Sequence, residues 1–335
     1  MESRRMTGHQ KEQGVSVTRE ESRRLIQGPI ATLPTPMDEQ FRLDLGTTAE
    51  LTRWWVDSGI TRYRAPLKVA AAMGEGPDLD DDEWPRLLKT VVDAAGPNAA
   101  VICALKPKNT LHTIDDAKRA QDLGAIGLQI DLPIFHHANQ DDYVRFFTDI
   151  SDALEPGIGI MIYNVFNFGP PSITAETMNR LRDAERVAAV KWFVPASGGP
   201  DYDDMLQFVD HFNVIDNSSQ PVRCIKNGGH GYIDPTTAVH PAHALNVWDL
   251  CVAGQYEEAQ ALFDSVKNPL RDFMAQSARR SGGYRVVKGQ MAVIGKPVGP
   301  PRPPTLPLDD AELAELRDLT ASFGWPVVAA TASRG

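Results

Sequence analysis

The chain is poor in cysteine, with three in 335 residues, at positions 103, 224 and 251. An odd, widely spaced set in apolar surroundings excludes a disulfide framework, so these residues read as small buried side chains. Long hydrophobic runs are also missing. Nothing approaches the roughly 18 apolar residues of a membrane span, and the N-terminus carries no apolar signal core, so a cytoplasmic location is expected. Basic charge is in deficit, with 34 Lys and Arg against 44 Asp and Glu and a formal net charge of -10. That balance argues against general affinity for nucleic acid or an anionic membrane. No internal repeat suggests a solenoid. No metal site is expected, because the histidines find no third ligand at a suitable spacing. What is present is the composition of a globular protein with a full core, 42% hydrophobic and 23% charged.

Residues 1 to about 24 are polar and read as a disordered lead-in, although Thr18-Arg-Glu-Glu has the form of a helix cap. From Gly28 onward strand and helix patterns alternate. Gly28-Pro-Ile-Ala-Thr-Leu-Pro-Thr-Pro, Val69 to Gly76, Val101 to Leu105, Gly124 to Ile130, Gly159 to Val165, Ala188 to Trp192, Asn213 to Asp216 and Gly228 to Ile233 read as strands. About eight βα units over residues 28 to 245 match a closed (β/α)₈ TIM barrel, an α/β fold. The expected division is lead-in 1–24, barrel 25–245 and helical C-terminal appendage 246–335, with six prolines in the connector from Lys296 to Pro307.

One strand–helix–strand unit carries the chemistry. Gly159-Ile-Met-Ile-Tyr163 and Ala188-Ala-Val-Lys191 are apolar strands ending in polar side chains, with a capped helix after Ser172 between them. Such a unit lays parallel strands side by side with their C-terminal ends on one edge, where α/β barrels do their chemistry. A lysine ending an apolar strand is desolvated, which lowers its pKa and frees the amine to attack a carbonyl. A tyrosine beside it can move the protons that attack requires.

Taken in order, these pieces resemble the dihydrodipicolinate synthase/N-acetylneuraminate lyase family of Schiff-base lyases. They are Pro34-Thr-Pro, Gly74-Glu75, Pro133 with Gln140, Tyr163-Asn-Val, the isolated Lys191, Gly228-Gly-His-Gly and Arg302-Pro-Pro-Thr-Leu-Pro-Leu, covering about Gly28 to Pro307. The resemblance implies that Lys191 forms a Schiff base with a 2-oxo acid such as pyruvate and that Tyr163 relays protons, with no cofactor. It also implies a small-molecule 2-oxo acid and an aldehyde as partners, and a homotetramer or homodimer. Ala72, Met73, Gly74 and Glu75 would line the carboxylate end, through backbone N–H groups. Phe135, Phe168, Asn217 and Tyr232 would line the rest.

The departures bear on the substrate. Ala72 and Met73 stand where the family usually has two hydroxyl residues. Ile134 and Phe135 replace two tyrosines of the synthase branch, and Phe168 replaces its carboxylate-binding arginine. These losses argue against lysine biosynthesis. Phe135, Phe166, Phe168 and Trp192 favour a larger or less charged aldehyde half, as in the hydratase-aldolases. A keto-deoxy sugar-acid dehydratase or aldolase is the alternative, with Asn164, Asn167, Asn217 and Ser218 as its polar groups. A non-catalytic ligand-binding or regulatory barrel is the alternative of another class.

Five further positions read as structural or stay open. Glu75 orients its loop in preference to acting as a base. His136 and His137 read as solvated loop residues. His230 reads as packed, in a glycine run that places backbone near the barrel mouth; the run lacks the Lys-Ser/Thr ending of a phosphate loop. Lys68, ending the unusual segment Arg62-Tyr-Arg-Ala-Pro-Leu-Lys, brings a cation either to the pocket or to a subunit contact, and the sequence leaves the two open.

Overall fold

A computed structural model describes residues 18–133, 136–164, 171–194 and 201–329. After α1 (Arg19–Leu25), the first barrel stave comes in two pieces, β1 (Gly28–Pro29) and β2 (Ala31–Thr32), followed by α2 (Leu45–Asp57). Then come β3 (Leu67–Val69), α3 (Glu83–Ala95), β4 (Val101–Leu105), α4 (Thr110–Asp122), β5 (Gly127–Asp131) and α5 (Gln140–Ala153). The second half holds β6 (Gly159–Tyr163), α6 (Ala175–Arg180), β7 (Val187–Trp192), α7 (Tyr202–Met205), β8 (Asn213–Asp216), α8 (Pro221–Lys226), β9 (Gly231–Tyr232) and α9 (Thr236–Val239). Four helices complete the chain: α10 (Pro241–Val252), α11 (Tyr256–Ala278), α12 (Tyr284–Val293) and α13 (Asp310–Ser322).

All strand pairs are parallel, and the split first stave closes the sheet, with β1 on β9 and β2 on β3. Ile30 N–H reaches Tyr232 O and Leu33 N–H reaches Lys68 O, both at 2.9 Å. Eight staves therefore make the (β/α)₈ barrel. Its closure depends on Gly231, where a Cβ would lie 2.3 Å from Gly28 O. Gly228-Gly-His230 precedes β9, so the run sits at the N-terminal end of the barrel. That corrects its expected place at the mouth. His230 there meets Arg23 at 3.3 Å, and burial with the Arg23 charge pulls it down to about 4.

The same end is sealed by α1, from within the stretch expected to be disordered. Thr18 caps it by accepting from Glu21 N–H. Arg23 donates to Asn213 Oδ1 at 2.9 Å and to Asp210 O at 2.8 Å, and a Cβ on Gly159 would meet Ser22 at 2.7 Å.

Alternation along the strands divides the core in two. Outward side chains meet the helices in the main apolar layer, which includes Leu67, Leu128, Ile160, Val190 and Trp192. Inward chains at the lower level, Ile30, Ile102, Met161, Ala189 and Ile215, form a separate apolar plug with Ile26. Above that plug the interior turns polar, and there the site begins.

Beyond the barrel, α11, α12 and α13 share Leu270, Phe273, Val286, Leu308 and Leu316. Arg285, 1% exposed, pairs with Glu312 at 2.7 Å inside this layer. No described helix is long and apolar enough to cross a membrane.

Candidate active site

Tyr163 and Lys191 end up directly paired across β6 and β7, and Asp131 on β5 is the register partner of Tyr163. The Lys191 Nζ lies 3.6 Å from the centroid of the Tyr163 ring. Lys191 is 7% exposed. Burial is the main force on it and pulls its pKa down to about 7, with Asp131 opposing and Lys106 assisting. The Tyr163 hydroxyl is pushed above its ordinary value by burial and by Asp131, and a hydrogen bond from the Asn217 side chain partly offsets this. An amine that is substantially neutral near pH 7 and a neutral phenol beside it fit nucleophilic attack with proton relay.

Asn217 is aimed by a buried carboxylate. Asp216 at the end of β8 accepts from the Tyr202 hydroxyl and from the backbone N–H groups of Ser218 and Gln220, at 2.8 and 2.9 Å. These bonds shape the turn that carries Asn217. Sequence reading passed over Asp216; an acidic residue ending an apolar strand was the available signal.

A second set of polar residues stands beside Lys191. Lys68 lies within β3 and is 1% exposed. Its Nζ donates to Gln129 Oε1 at 2.9 Å; Gln129 Nε2 donates to Asp131 Oδ1 at 3.3 Å; and Asp131 Oδ2 meets Lys106 Nζ at 2.7 Å. The structure thus settles the place of Lys68: it is inside the barrel. Its strand runs from Leu67 to Val69 and stops where Ala70 takes a positive φ of 55°, short of the expected span to Gly76. Burial holds Lys68 well below the ordinary lysine value, and the Lys191 charge lowers it further.

The expected carboxylate loop is placed differently. Ala72-Met73-Gly74 is a single 3₁₀ turn in which the Gly74 N–H donates to Ala71 O at 2.8 Å and the following Glu75 N–H to Ala72 O at 3.1 Å. Among the described residues, only the Ala72 and Met73 N–H groups of the four expected backbone donors therefore stay open. Met73 extends toward Gly283 at the start of α12. Glu75, wholly buried, pairs with Lys288 at 2.5 Å and accepts from Arg302 N–H at 2.8 Å. It locks the barrel to the C-terminal helices, and its carboxylate is engaged there.

Tyr232 is also removed from the expected lining: its ring packs outside the barrel against Phe263, and its hydroxyl donates to Ala244 O at 2.7 Å. Trp192 follows the same alternation, facing outward onto Phe208. The Asn164 side chain, buried, turns to the backbone of Ile173, and Ser218 Oγ accepts from Val194 N–H. Phe135 and Phe168, with Phe166 and Asn167, lie outside the described residues. His136 and His137 are exposed, and His136 Nε2 sits 2.6 Å from Lys108 O.

A cavity of about 470 Å³ opens over the loops after β4 and β5, between Leu111, Pro133, His136 and Arg145. It includes neither Lys191 nor Tyr163. Among the described residues no group of three His, Cys, Asp or Glu side chains could hold a metal.

A (β/α)₈ barrel with a desolvated strand-end lysine set against a tyrosine defines a class of protein, the lysine-bearing barrels built for carbonyl chemistry. The chain belongs to the dihydrodipicolinate synthetase family, whose model matches residues 25–322. Members of that family are Schiff-base lyases. The 4-hydroxy-tetrahydrodipicolinate synthase of Acidothermus cellulolyticus is 29% identical over 299 residues, 88% of this chain and 92% of that protein. The synthase of Heliobacterium modesticaldum is 27% identical, covering 88% of this chain and 95% of its own. Among solved structures, dihydrodipicolinate synthase from Aquifex aeolicus superposes with a TM-score of 0.78 at 20% identity, covering 90% and 99% of the two chains. YagE, a prophage protein from E. coli K12 solved in complex with pyruvate, gives 0.77 at 20% identity over the same shares. At that identity the structures speak for the fold.

Proposed function

We propose that this protein is a class I, cofactor-free lyase of aldolase or hydratase-aldolase type, acting on a 2-oxo acid such as pyruvate or an adduct of it. The observation that carries the reading is the neutral-leaning Lys191 amine 3.6 Å from the Tyr163 ring. Lys191 attacks the ketone, the carbinolamine loses water, and the protonated imine takes up the electron pair of the bond that breaks or forms. Tyr163, held by Asn217, passes the proton to and from the carbinolamine oxygen. The pyruvate complex of YagE supports a 2-oxo acid as the imine-forming half.

The reading places this chain outside true dihydrodipicolinate synthesis, although curated relatives bear the synthase name. Ala72 and Met73 supply no hydroxyl, and Phe168 supplies no guanidinium. For the second half of the substrate, the described residues near Lys191 include the polar Asp131 and Asn217. That supports a hydroxylated partner, as in a keto-deoxy sugar acid, as the second reading beside the larger aldehyde that the phenylalanines suggest. A homo-oligomer remains part of the proposal, with the apolar C-terminal helices as the contact surface.

The test is borohydride trapping with pyruvate, read by intact mass and peptide mapping. The expected adduct is on Lys191 and absent from Lys68, whose amine is buried behind Gln129. No adduct with any 2-oxo acid sinks the lyase and leaves the binding barrel as the better account.

A further inference from the structure

The turn that would hold the carboxylate has no side-chain donor, its Gly74 and Glu75 N–H groups are already engaged, and the Ala72 and Met73 N–H groups it still offers carry no charge. A 2-oxo acid bound at Lys191 nonetheless brings an anion into a space of low dielectric, where an unpaired charge is costly. Some group must meet it. Arg302 is taken by Glu83 at 2.7 Å, Lys288 by Glu75, and Lys68 is sealed behind Gln129.

Lys106 differs from all three. It follows β4, whose Leu105 is the register partner of Ile130, so it faces Asp131 one step from Tyr163. Its side chain is 32% exposed and that of Asp131 16%, so water and solutes reach the pair. Lys106 and Asp131 are also the charged groups that act most directly on the Lys191 amine. If Lys106 swings away, Asp131 keeps the Gln129 amide at 3.3 Å. The ion pair can therefore exchange a partner without stranding a bare carboxylate.

We infer that Lys106 is the carboxylate anchor of the 2-oxo acid: the substrate anion displaces Asp131 from the Lys106 ammonium, and a charge-assisted bond replaces the hydroxyl contacts that Ala72 and Met73 cannot make. This inference rests on the lyase reading above and deepens it. A lysine ammonium is a mobile point charge on a flexible stem, suited to moving between two carboxylates. The anchored anion also sits close to the iminium that forms on Lys191, and each charge compensates the other inside the barrel.

The experiment compares borohydride trapping of pyruvate and of methyl pyruvate, which keeps the ketone and lacks the anion. Wild type, Lys106→Met and Lys106→Arg are assayed at pH 8. In Lys106→Met the half-saturating pyruvate concentration should rise roughly tenfold or more, while trapping of methyl pyruvate stays within about twofold of wild type. Lys106→Arg should keep the pyruvate value within about threefold. An unchanged pyruvate value in Lys106→Met, or equal losses for both ketones, overturns the anchor.

Failure of the lyase reading is read separately, by saturation-transfer NMR of pyruvate on Lys191→Ala protein, which cannot form an imine. Binding to Lys191→Ala that disappears in the Lys106→Met/Lys191→Ala protein supports the anchor even if wild type traps nothing. Equal binding with and without Lys106, or no binding while Lys106 is present, overturns it.

Discussion

Two buried lysines in this molecule have opposite fates. Lys288 on α12 sits 2.5 Å from the Glu75 carboxylate and donates to Pro300 O at 2.8 Å. Lys191 faces the ring of Tyr163, with its carboxylate neighbour Asp131 paired to Lys106. Burial lowers both pKa values, but at Lys288 the contact with Glu75 pulls back, while at Lys191 the Asp131 pull is partly cancelled by Lys106. One lysine is a structural tie and the other a free amine. The lesson is that burial alone does not make a nucleophile; what matters is where the nearest carboxylate is engaged.

The largest effects should separate the two. Lys191→Ala should abolish pyruvate trapping and turnover while leaving unfolding by denaturant nearly unchanged. Lys288→Met should do the reverse, costing about 3–5 kcal/mol because it strands a buried carboxylate, with the trapped peptide still that of Lys191. Equal stability of wild type and Lys288→Met would mean that the Glu75 contact is not the tie it resembles.

Legibility in the sequence followed the same division. The barrel, the strand-end pair and their common edge could be read because hydrophobic runs ending in Tyr163 and Lys191 fix both the stave and the end of the side chain's path. Period-two alternation also assigned Trp192 to the outer face once Lys191 faced inward, and that consequence was there to be drawn. Tyr232 was less accessible, since β9 holds two residues and offers almost no pattern.

The polar set was hidden for a different reason. Lys68, Gln129, Asp131 and Lys106 sit in four places along three staves, and only the strand register brings them into one chain of contacts. The expected strand began at Val69, the residue on which β3 ends, and the run of alanines after it carries little β preference. Glu75 was read as structural from a bare glycine–glutamate step, but its partners come from more than 200 positions away.

Tyr163→Phe sharpens the comparison from the other side. The ring stays against Lys191, so packing and the amine's burial persist, and only the hydroxyl held by Asn217 is lost. Turnover should fall by roughly 10²–10⁴-fold, the usual scale for a proton-transfer group. Adduct formation should slow but still map to Lys191. Full activity in Tyr163→Phe, measured as initial rates at saturating 2-oxo acid, would remove tyrosine from the relay and leave water or Asn217 in its place.

The smallest effect is a displacement along the pH axis. Lys191 loses its proton at about 7, so the nucleophilic fraction, and the trapping rate below saturation, should rise with pH through that value and level off above it. Besides Tyr163, which is pushed upward, the groups facing the amine are Asp131, Lys106 and Lys68. Asp131 favours the ammonium, so Asp131→Asn should move the midpoint down. Lys106 disfavours it, so Lys106→Met should move the midpoint up. Lys68, whose amine is tied to Gln129 and held well below the ordinary lysine value by burial, should leave the midpoint nearly in place when replaced by methionine. Lys288→Met, across the barrel wall in the other ion pair, should not move it at all. A rate profile that shifts for Lys288→Met and stays fixed for Asp131→Asn would reverse the assignment of tie and nucleophile.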